Sequence, residues 1–271
     1  MYVIVTGATG FIGTNLLPAL QNKKVIIAPR KENNKINLYY KGKIIDLNEL
    51  RKSRIVLVHL ATHFSKSPSE NREVTNANLN FGNELIEHLS TLDIKKIIHT
   101  NTMYGYHKDE TLRNLHYTQT KIEFSKMLQT FSNNLDIAYD EIYLDNTFGI
   151  SDKRQKILPI IIKSIKEGSE NPIMNPNNSV NLMHIDPVIK RIIISIDNEN
   201  SYCTSFVGKK SINLESLYLY LKNFLETSRI NNQRIVYTEN NYFKTHPKIE
   251  YLDINVENIE TSLRKYAQQW K

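Results

Sequence analysis

Apolar β-formers run without interruption from Tyr2 to Val5. A glycine-rich interval follows, and then Phe11, Ile12, Leu16, Leu17 and Leu20 recur at helical spacing. This pattern predicts a buried strand that turns directly into a helix. Val25 to Ala28 reads as a second strand, closed by Pro29, and Lys43 to Asp46 as a short third. Ile55 to Ala61 is an apolar run broken only by His59, as a strand buried on both faces requires. The polar stretch Ser65 to Glu73 predicts a loop. Ala77, Phe81, Leu85, Ile86 and Leu89 then mark one face of a helix, and Lys96 to Thr100 reads as a fifth strand. Strands alternating with helices imply a parallel sheet wrapped by helices.

The second half has a different rhythm. Ile137 to Leu144 predicts a strand that ends in Asn146-Thr147-Phe148-Gly149. Helical patterns follow at Leu158–Ile165, Val188–Ile196 and Leu214–Leu225, with a last one carrying Ile259, Leu263, Tyr266, Ala267 and Trp270. Asn171 to Asn178 reads as a turn-rich connection. The expected fold is α/β: a Rossmann-type doubly wound parallel sheet with a smaller C-terminal substrate lobe. Residues 1–147 are expected to form the dinucleotide-binding domain, 184–202 to return to it, and 148–271 to form most of the substrate lobe.

Composition narrows the function classes. A chain of 271 residues, 40% apolar and 23% charged, suits a globular protein with a real core. The longest apolar run, Ile157 to Ile162, contains Pro159, so no membrane span is expected. Met1 leads straight into a strand, which argues against a signal peptide. The lone Cys203 excludes an intrachain disulfide and a cysteine-based metal site, and a reducing cytoplasm is the expected setting. The net charge of +7 comes from 35 basic and 28 acidic residues. The basic residues are dispersed, so a nucleic-acid partner is not expected; phosphorylated small molecules fit better.

The interval Gly7-Ala8-Thr9-Gly10-Phe11-Ile12-Gly13 carries the first chemistry. A strand entering a helix through a tight turn presents unpaired N–H groups to an anion. Gly7 permits the turn, Gly10 admits a pyrophosphate to the backbone, and Gly13 lets the helix pack on the strand. The spacing is G-x-x-G-x-x-G, not the G-x-G-x-x-G of the common dinucleotide fingerprint. Arg30 stands just after the second strand, where an acidic residue would bind the ribose hydroxyls of NAD. Arginine suits the 2′-phosphate of NADP, so NADP is the expected cofactor, with NAD possible. Glu32 is the counter-argument, since a longer turn would give it the ribose role.

The second chemistry lies at the end of the fifth strand. Thr100-Asn101-Thr102-Met103-Tyr104-Gly105 is followed on a helix by Tyr117 and Lys121, four apart and on one face. A phenol can protonate a carbonyl oxygen while hydride reaches the carbon, but its ordinary pKa near 10 is high for exchange at neutral pH. A lysine alongside lowers it. A threonine hydroxyl on the strand end can hold the same oxygen.

Taken in order, these motifs resemble the extended short-chain dehydrogenase/reductases, the NAD-dependent epimerase/dehydratase family. The resemblance implies that Thr100 is the third catalytic residue, with Thr102 as fallback and a further candidate to touch substrate. It places Asp46 and Leu47 beside the adenine. Leu60, Ala61 and Thr62, within His59-Leu60-Ala61-Thr62, would lie along the cofactor, with Asn78 near the catalytic lysine. Asn146, and the segment His184-Ile185-Asp186-Pro187, match further family motifs, and Asn146 is assigned to the substrate. Within the family the chain looks most like reductases of CDP- or dTDP-linked 4-keto-deoxysugars. The dehydratases carry an Asp-Glu pair where this chain has Asn101 and Thr102, so dehydration is not expected. Val180 and Tyr143 stand where the family often has arginines, which leaves Lys153, Arg154 or Lys156 to hold a diphosphate. The implied reaction is NADPH-dependent reduction of a nucleotide-activated deoxysugar in surface-polysaccharide precursor synthesis. The alternatives are a 4-epimerase with retained NAD and a non-catalytic NADP-sensing regulator. A homodimer is also implied, with Phe124, Met127, Leu128 and Phe131 supplying apolar surface to a two-fold contact.

Overall fold

A computed structural model describes residues 1–29, 35–150, 152, 154–169, 175, 177–227, 234–240, 242–243, 250–251 and 256–270. In chain order the first unit contains β1 (Tyr2–Thr6), α1 (Phe11–Leu16), β2 (Lys24–Ala28), β3 (Tyr39–Tyr40), β4 (Lys43–Ile44), α2 (Leu47–Leu50) and β5 (Arg54–His59). It continues through α3 (Asn71–Thr75), α4 (Phe81–Leu89), β6 (Asp93–Thr102), α5 (Glu110–Arg113), α6 (His116–Asn134) and β7 (Ala138–Leu144). β1 sits inside the sheet, paired in parallel with β2 on one side and β5 on the other, and β5 pairs in parallel with β6. The sheet order β7-β6-β5-β1-β2 reverses direction at β1, as in a doubly wound fold.

Two local readings need correction. Lys43–Asp46 does not continue the parallel sheet: β3 pairs antiparallel with β2, and β4 pairs antiparallel with β3 to close a hairpin. Its two-residue turn is Lys41-Gly42, with φ of 51° and 78°. Positive φ at both central residues matches the twist of paired strands. Asp46 belongs to the next element, where it caps α2: its carboxylate accepts from Asn48 N at 2.7 Å, and Glu49 accepts from Asp46 N at 3.2 Å. The expected loop Ser65–Glu73 is partly helical, with a 3₁₀ turn at Pro68–Glu70 and α3 beginning at Asn71. Its residues are polar because α3 buries only Val74, too little to set an apolar period.

The core of this unit joins Ile4, Ile26, Leu57, Leu85, Ile97 and Leu128. Gly82 of α4 lets α6 approach, since a Cβ there would lie 2.3 Å from the Phe124 ring. Phe124 and Leu128 are fully buried in this core, and Met127 and Phe131 pack against it. Phe124 and Leu128 are therefore used within the chain, which leaves only the partly buried Met127 and Phe131 as apolar surface on this face.

The remaining elements are β8 (Asn146–Phe148), α7 (Ile157–Glu167), β9 (Ser179–Val180), β10 (Leu182–His184), α8 (Ile185–Asp197), β11 (Tyr202–Phe206), β12 (Lys210–Asn213), α9 (Leu214–Thr227), β13 (Tyr237–Glu239), β14 (Glu250–Tyr251) and α10 (Val256–Gln268). Contacts divide the chain into 1–143 with 187–204 and 243–249, and 144–186 with 205–242 and 250–271. The second unit has its own core, including Phe148, Ile161, Leu217, Leu221, Leu263 and Tyr266. β8 and β10 pair in parallel, while β12 pairs antiparallel with β9 and β13. No helix among the described residues is long and apolar enough to cross a membrane.

Candidate active site

The glycine turn is held by backbone contacts that leave no room for side chains. Gly7 has φ of +65°, and a Cβ on it would lie 2.7 Å from Ala61 N. A Cβ on Gly13 would lie 2.3 Å from Gly7 O and 2.7 Å from Ala8 Cα. A Cβ on Gly10 would meet only Gly7 O, at 3.2 Å, so the turn is open there. Gly10 also caps α1, with no side-chain capping hydrogen bond among the described residues. Thr9 and Gly10 are exposed, and Phe11 and Ile12 are half-buried behind them. A bare backbone turn that is closed beneath and open above suits a dinucleotide pyrophosphate. Replacing Gly13 by alanine should destabilise the protein by about 1–3 kcal/mol, because the added methyl meets rigid backbone. An unchanged thermal midpoint for Gly13→Ala would show that the turn yields freely.

Thr6 is a site residue that sequence reasoning missed. Its hydroxyl accepts from Leu60 N at 3.1 Å and Ala61 N at 3.0 Å, and it lies 3.2 Å from His59 Nδ1. It thereby ties the end of β1 to the chain leaving β5, next to Gly7. Asn78, in the π-helical turn Asn76–Asn80, fixes the next residues. Its Oδ1 accepts from His63 N at 2.7 Å and from the Thr62 hydroxyl at 3.0 Å. Its Nδ2 donates to His63 O at 3.0 Å and reaches Thr120 on α6 at 3.3 Å. Asn78 thus clamps Thr62 and His63 beside the helix that carries Lys121.

Lys121 and Thr100 come together. The buried Lys121 ammonium donates to Thr100 O at 2.6 Å. Burial pulls its pKa down to about 7, and the nearby Glu141 carboxylate opposes that shift. Tyr117 lies in the first turn of α6, its ring edge-on to Phe64 at 4.9 Å and to Tyr104 at 6.4 Å. Thr100, Asn101 and Thr102 are all buried, and Thr102 Oγ1 accepts from Tyr104 N at 3.2 Å. Alternation along a strand puts Thr100 and Thr102 on one face and Asn101 on the other. Phe64, 37% exposed, left no periodic signal in its polar segment.

The other candidates lie elsewhere. Arg30, with Glu32, and Lys153 fall outside the described residues. Asp46 is exposed at its cap and Leu47 packs toward the core. In the second unit, Asn146 opens β8 and Lys156 caps α7. Burial pushes the Asp145 carboxyl up to about 7, with Lys156 pulling it the other way. Arg154 is half-buried and forms a two-pronged bond to buried Asp152, at 2.7 and 2.8 Å, and donates to Thr147 O at 2.7 Å. Tyr143 is buried against Tyr106, which keeps its phenol above the usual range.

The NAD dependent epimerase/dehydratase family matches residues 3–204. A CDP-abequose synthase of Salmonella muenchen is 24% identical, over 97% of this chain and 94% of that protein. One from Yersinia pseudotuberculosis is 21% identical over 74% and 75%. Among solved structures, a UDP-N-acetylglucosamine 4-epimerase from Methanobrevibacter ruminantium M1 superposes with a TM-score of 0.74 at 20% identity, covering 99% of this chain and 97% of the other. A UDP-glucuronic acid 4-epimerase from Bacillus cereus, in complex with NAD, gives 0.70 at 16% identity, covering 99% and 97%. The glycine turn, the doubly wound sheet and this match over most of the sequence agree: the chain belongs to the NAD-dependent epimerase/dehydratase family, as an NAD(P)-dependent enzyme of the short-chain dehydrogenase/reductase type.

Proposed function

We propose that this enzyme reduces the 4-keto group of a nucleotide-activated deoxysugar with NADPH. The observation that carries the reading is the end of β6: Lys121 docks on Thr100, one helical turn from Tyr117, and Asn101 and Thr102 offer no carboxyl there. A dehydratase needs an acid–base pair to eliminate water, and an amide with a hydroxyl cannot supply it. Two relatives named for CDP-abequose support a CDP-linked deoxysugar as the substrate class.

Gly7, Thr9, Gly10, Phe11, Ile12 and Gly13 hold the dinucleotide in this reading, with Arg30, Asp46 and Leu47 toward the adenosine and Leu60, Ala61, Thr62 and Asn78 along its length. When bound, the reduced nicotinamide supplies hydride to C4. Tyr117 donates the proton to the C4 oxygen, Lys121 lowers the pKa of that phenol and holds the ribose, and Thr100 orients the carbonyl, with Thr102 beside it. Asn146, Lys153 and Lys156 are the proposed contacts to the nucleotide-linked sugar. A thermal-shift series with CDP-, dTDP-, UDP- and GDP-sugars tests the substrate class, and CDP-sugars should stabilise most. A family-type homodimer remains a proposal; a monomer by light scattering at micromolar concentration would remove it.

The cofactor preference rests on Arg30. Its guanidinium donates hydrogen bonds and accepts none, so it serves a 2′-phosphate and not a pair of ribose hydroxyls. One charge-assisted bond of about 1.5–3 kcal/mol is worth roughly 10- to 150-fold. NADPH should bind that much more tightly than NADH, and Arg30→Ala should erase most of the difference. Tighter binding of NADH by the wild type, or selectivity untouched by the substitution, would assign the ribose role to another residue such as Glu32.

A further inference from the structure

A polar stripe runs down one side of α6: Tyr117, Lys121, Ser125 and Gln129, each four residues from the last. Its lower half has a partner that the motif reading leaves unused. Glu141 projects from β7 and is 3% exposed. Its Oε1 accepts from Asn101 Nδ2 at 2.7 Å and from the Ser125 hydroxyl, and its Oε2 accepts from Gln129 Nε2 at 3.1 Å. Asn101 is fixed in turn, because its Oδ1 accepts from Thr102 N at 2.7 Å. A buried carboxylate is therefore pinned one helical turn below Lys121. It is bonded to the residue that directly follows Thr100, and Thr100 O accepts the hydrogen bond from Lys121.

We propose that Glu141 is a positioning residue for Lys121: a fixed, buried negative charge that holds the lysine as an ammonium ion against the end of β6. The inference rests on the reading of Lys121 as part of the active site.

An ammonium buried in protein loses its hydration and tends to shed its proton. As a neutral amine, Lys121 could no longer lower the pKa of Tyr117. Among the described residues, the ionisable groups around this pair come from β5, β6 and β7, with Tyr106 after β6 and Cys203 of β11 also close to Glu141 or to its tyrosine neighbours. His59 and His99 are neutral, since burial and Lys121 itself hold both well below the usual histidine range. Tyr139 and Tyr143 stay protonated, pushed above the usual phenol range by burial first and by Glu141 second. Among the described residues, Glu141 is thus the countercharge supplied to Lys121. The three donors aimed at its carboxylate keep it in place without a direct ion pair that would draw Lys121 off Thr100. Asn101 therefore acquires a use of its own: it anchors the carboxylate that supports the lysine.

The test is Glu141→Gln, which keeps the shape and removes the charge. A carbon NMR titration of the lysine side chains, with Lys121 assigned through Lys121→Arg, reads the effect without any substrate. The Lys121 midpoint should fall by about one pH unit or more, the usual effect of losing a nearby opposite charge. The alkaline limb of NADPH oxidation should move down equally, costing roughly tenfold in rate at pH 8 and only about twofold at pH 6. Glu141→Asp, which restores the charge, should recover most of the shift and serves if the glutamine variant does not fold. An unmoved lysine midpoint would overturn the proposal, as would a rate loss equal at every pH, the mark of a purely structural role. If no ketosugar is turned over by the wild type, the proposed reaction fails, and the NMR titration still decides the pairing.

Discussion

Tyr117→Phe should lower turnover by roughly 10²–10⁴-fold while cofactor affinity stays within about twofold, because a positioned acid is worth that much and the lost hydroxyl binds little. The expected split follows from where the side chain sits. The ring packs edge-on to Phe64 at 4.9 Å and to Tyr104, contacts that phenylalanine keeps. Lys121 is anchored separately on Thr100 O, so removing the phenol leaves the lysine in place. The loss should fall on kcat and kcat/KM together, as for an interaction made only in the transition state. Near-normal turnover would take Tyr117 out of the chemistry and leave Tyr104, its aromatic neighbour, as the phenol to test.

Mild acid should unfold the protein through its buried histidines. His59 and His99 lie 1% and 0% exposed on adjacent parallel strands, with ring centroids 5.7 Å apart, and both rings pack on Phe124. Burial first, and the Lys121 charge second, lower the His59 pKa to about 3 and hold that of His99 well below its usual value. Between the unfolded value near 6.5 and about 3, the unfolded chain binds a proton that folded His59 refuses. Stability is therefore intact above pH 6.5 and falls as the pH drops toward 3. By pH 4 the loss from His59 alone is about 3 kcal/mol, with His99 adding in the same direction. Urea unfolding at pH 7, 5 and 4 measures it. His59→Phe should flatten the decline, and an equally steep decline in that variant would place the acid-sensitive groups elsewhere.

Legibility in the sequence followed the kind of interaction. The glycine turn was readable because three glycines between a strand and a helix leave few alternatives, and the structure gives two of them backbone neighbours where a Cβ would stand. The parallel strands were readable because burial on both faces leaves uninterrupted apolar runs at Val3–Val5 and Ile55–Val58. The β3–β4 hairpin was not, since its strands are two residues each and its signal lies in the turn Lys41-Gly42. Tyr117 and Lys121 could be picked out from spacing within one helix. Glu141 could not: it is joined to Ser125 and Asn101 over 16 and 40 residues, and within β7 it stands as the second of two consecutive acidic residues, Asp140 and Glu141. The ion pair of Arg154 is illegible for the related reason that its partner Asp152 is buried by the fold and not by its neighbours in sequence. Phe124 and Leu128 look surplus in the sequence because the depth of the core beneath them, including Gly82, is a tertiary fact.

The most direct measurement gives the purified enzyme NADPH carrying deuterium at its transferable position, together with a CDP-linked 4-keto-deoxysugar. The proposed function predicts one NADPH consumed per sugar reduced, and a single C4 alcohol bearing the deuterium. Interconversion of C4 epimers of a hydroxylated nucleotide sugar, with bound NAD and no net consumption of NADPH, would contradict it and establish an epimerase. Tight NADPH binding with no turnover of any nucleotide-linked ketosugar would contradict it in favour of a regulator.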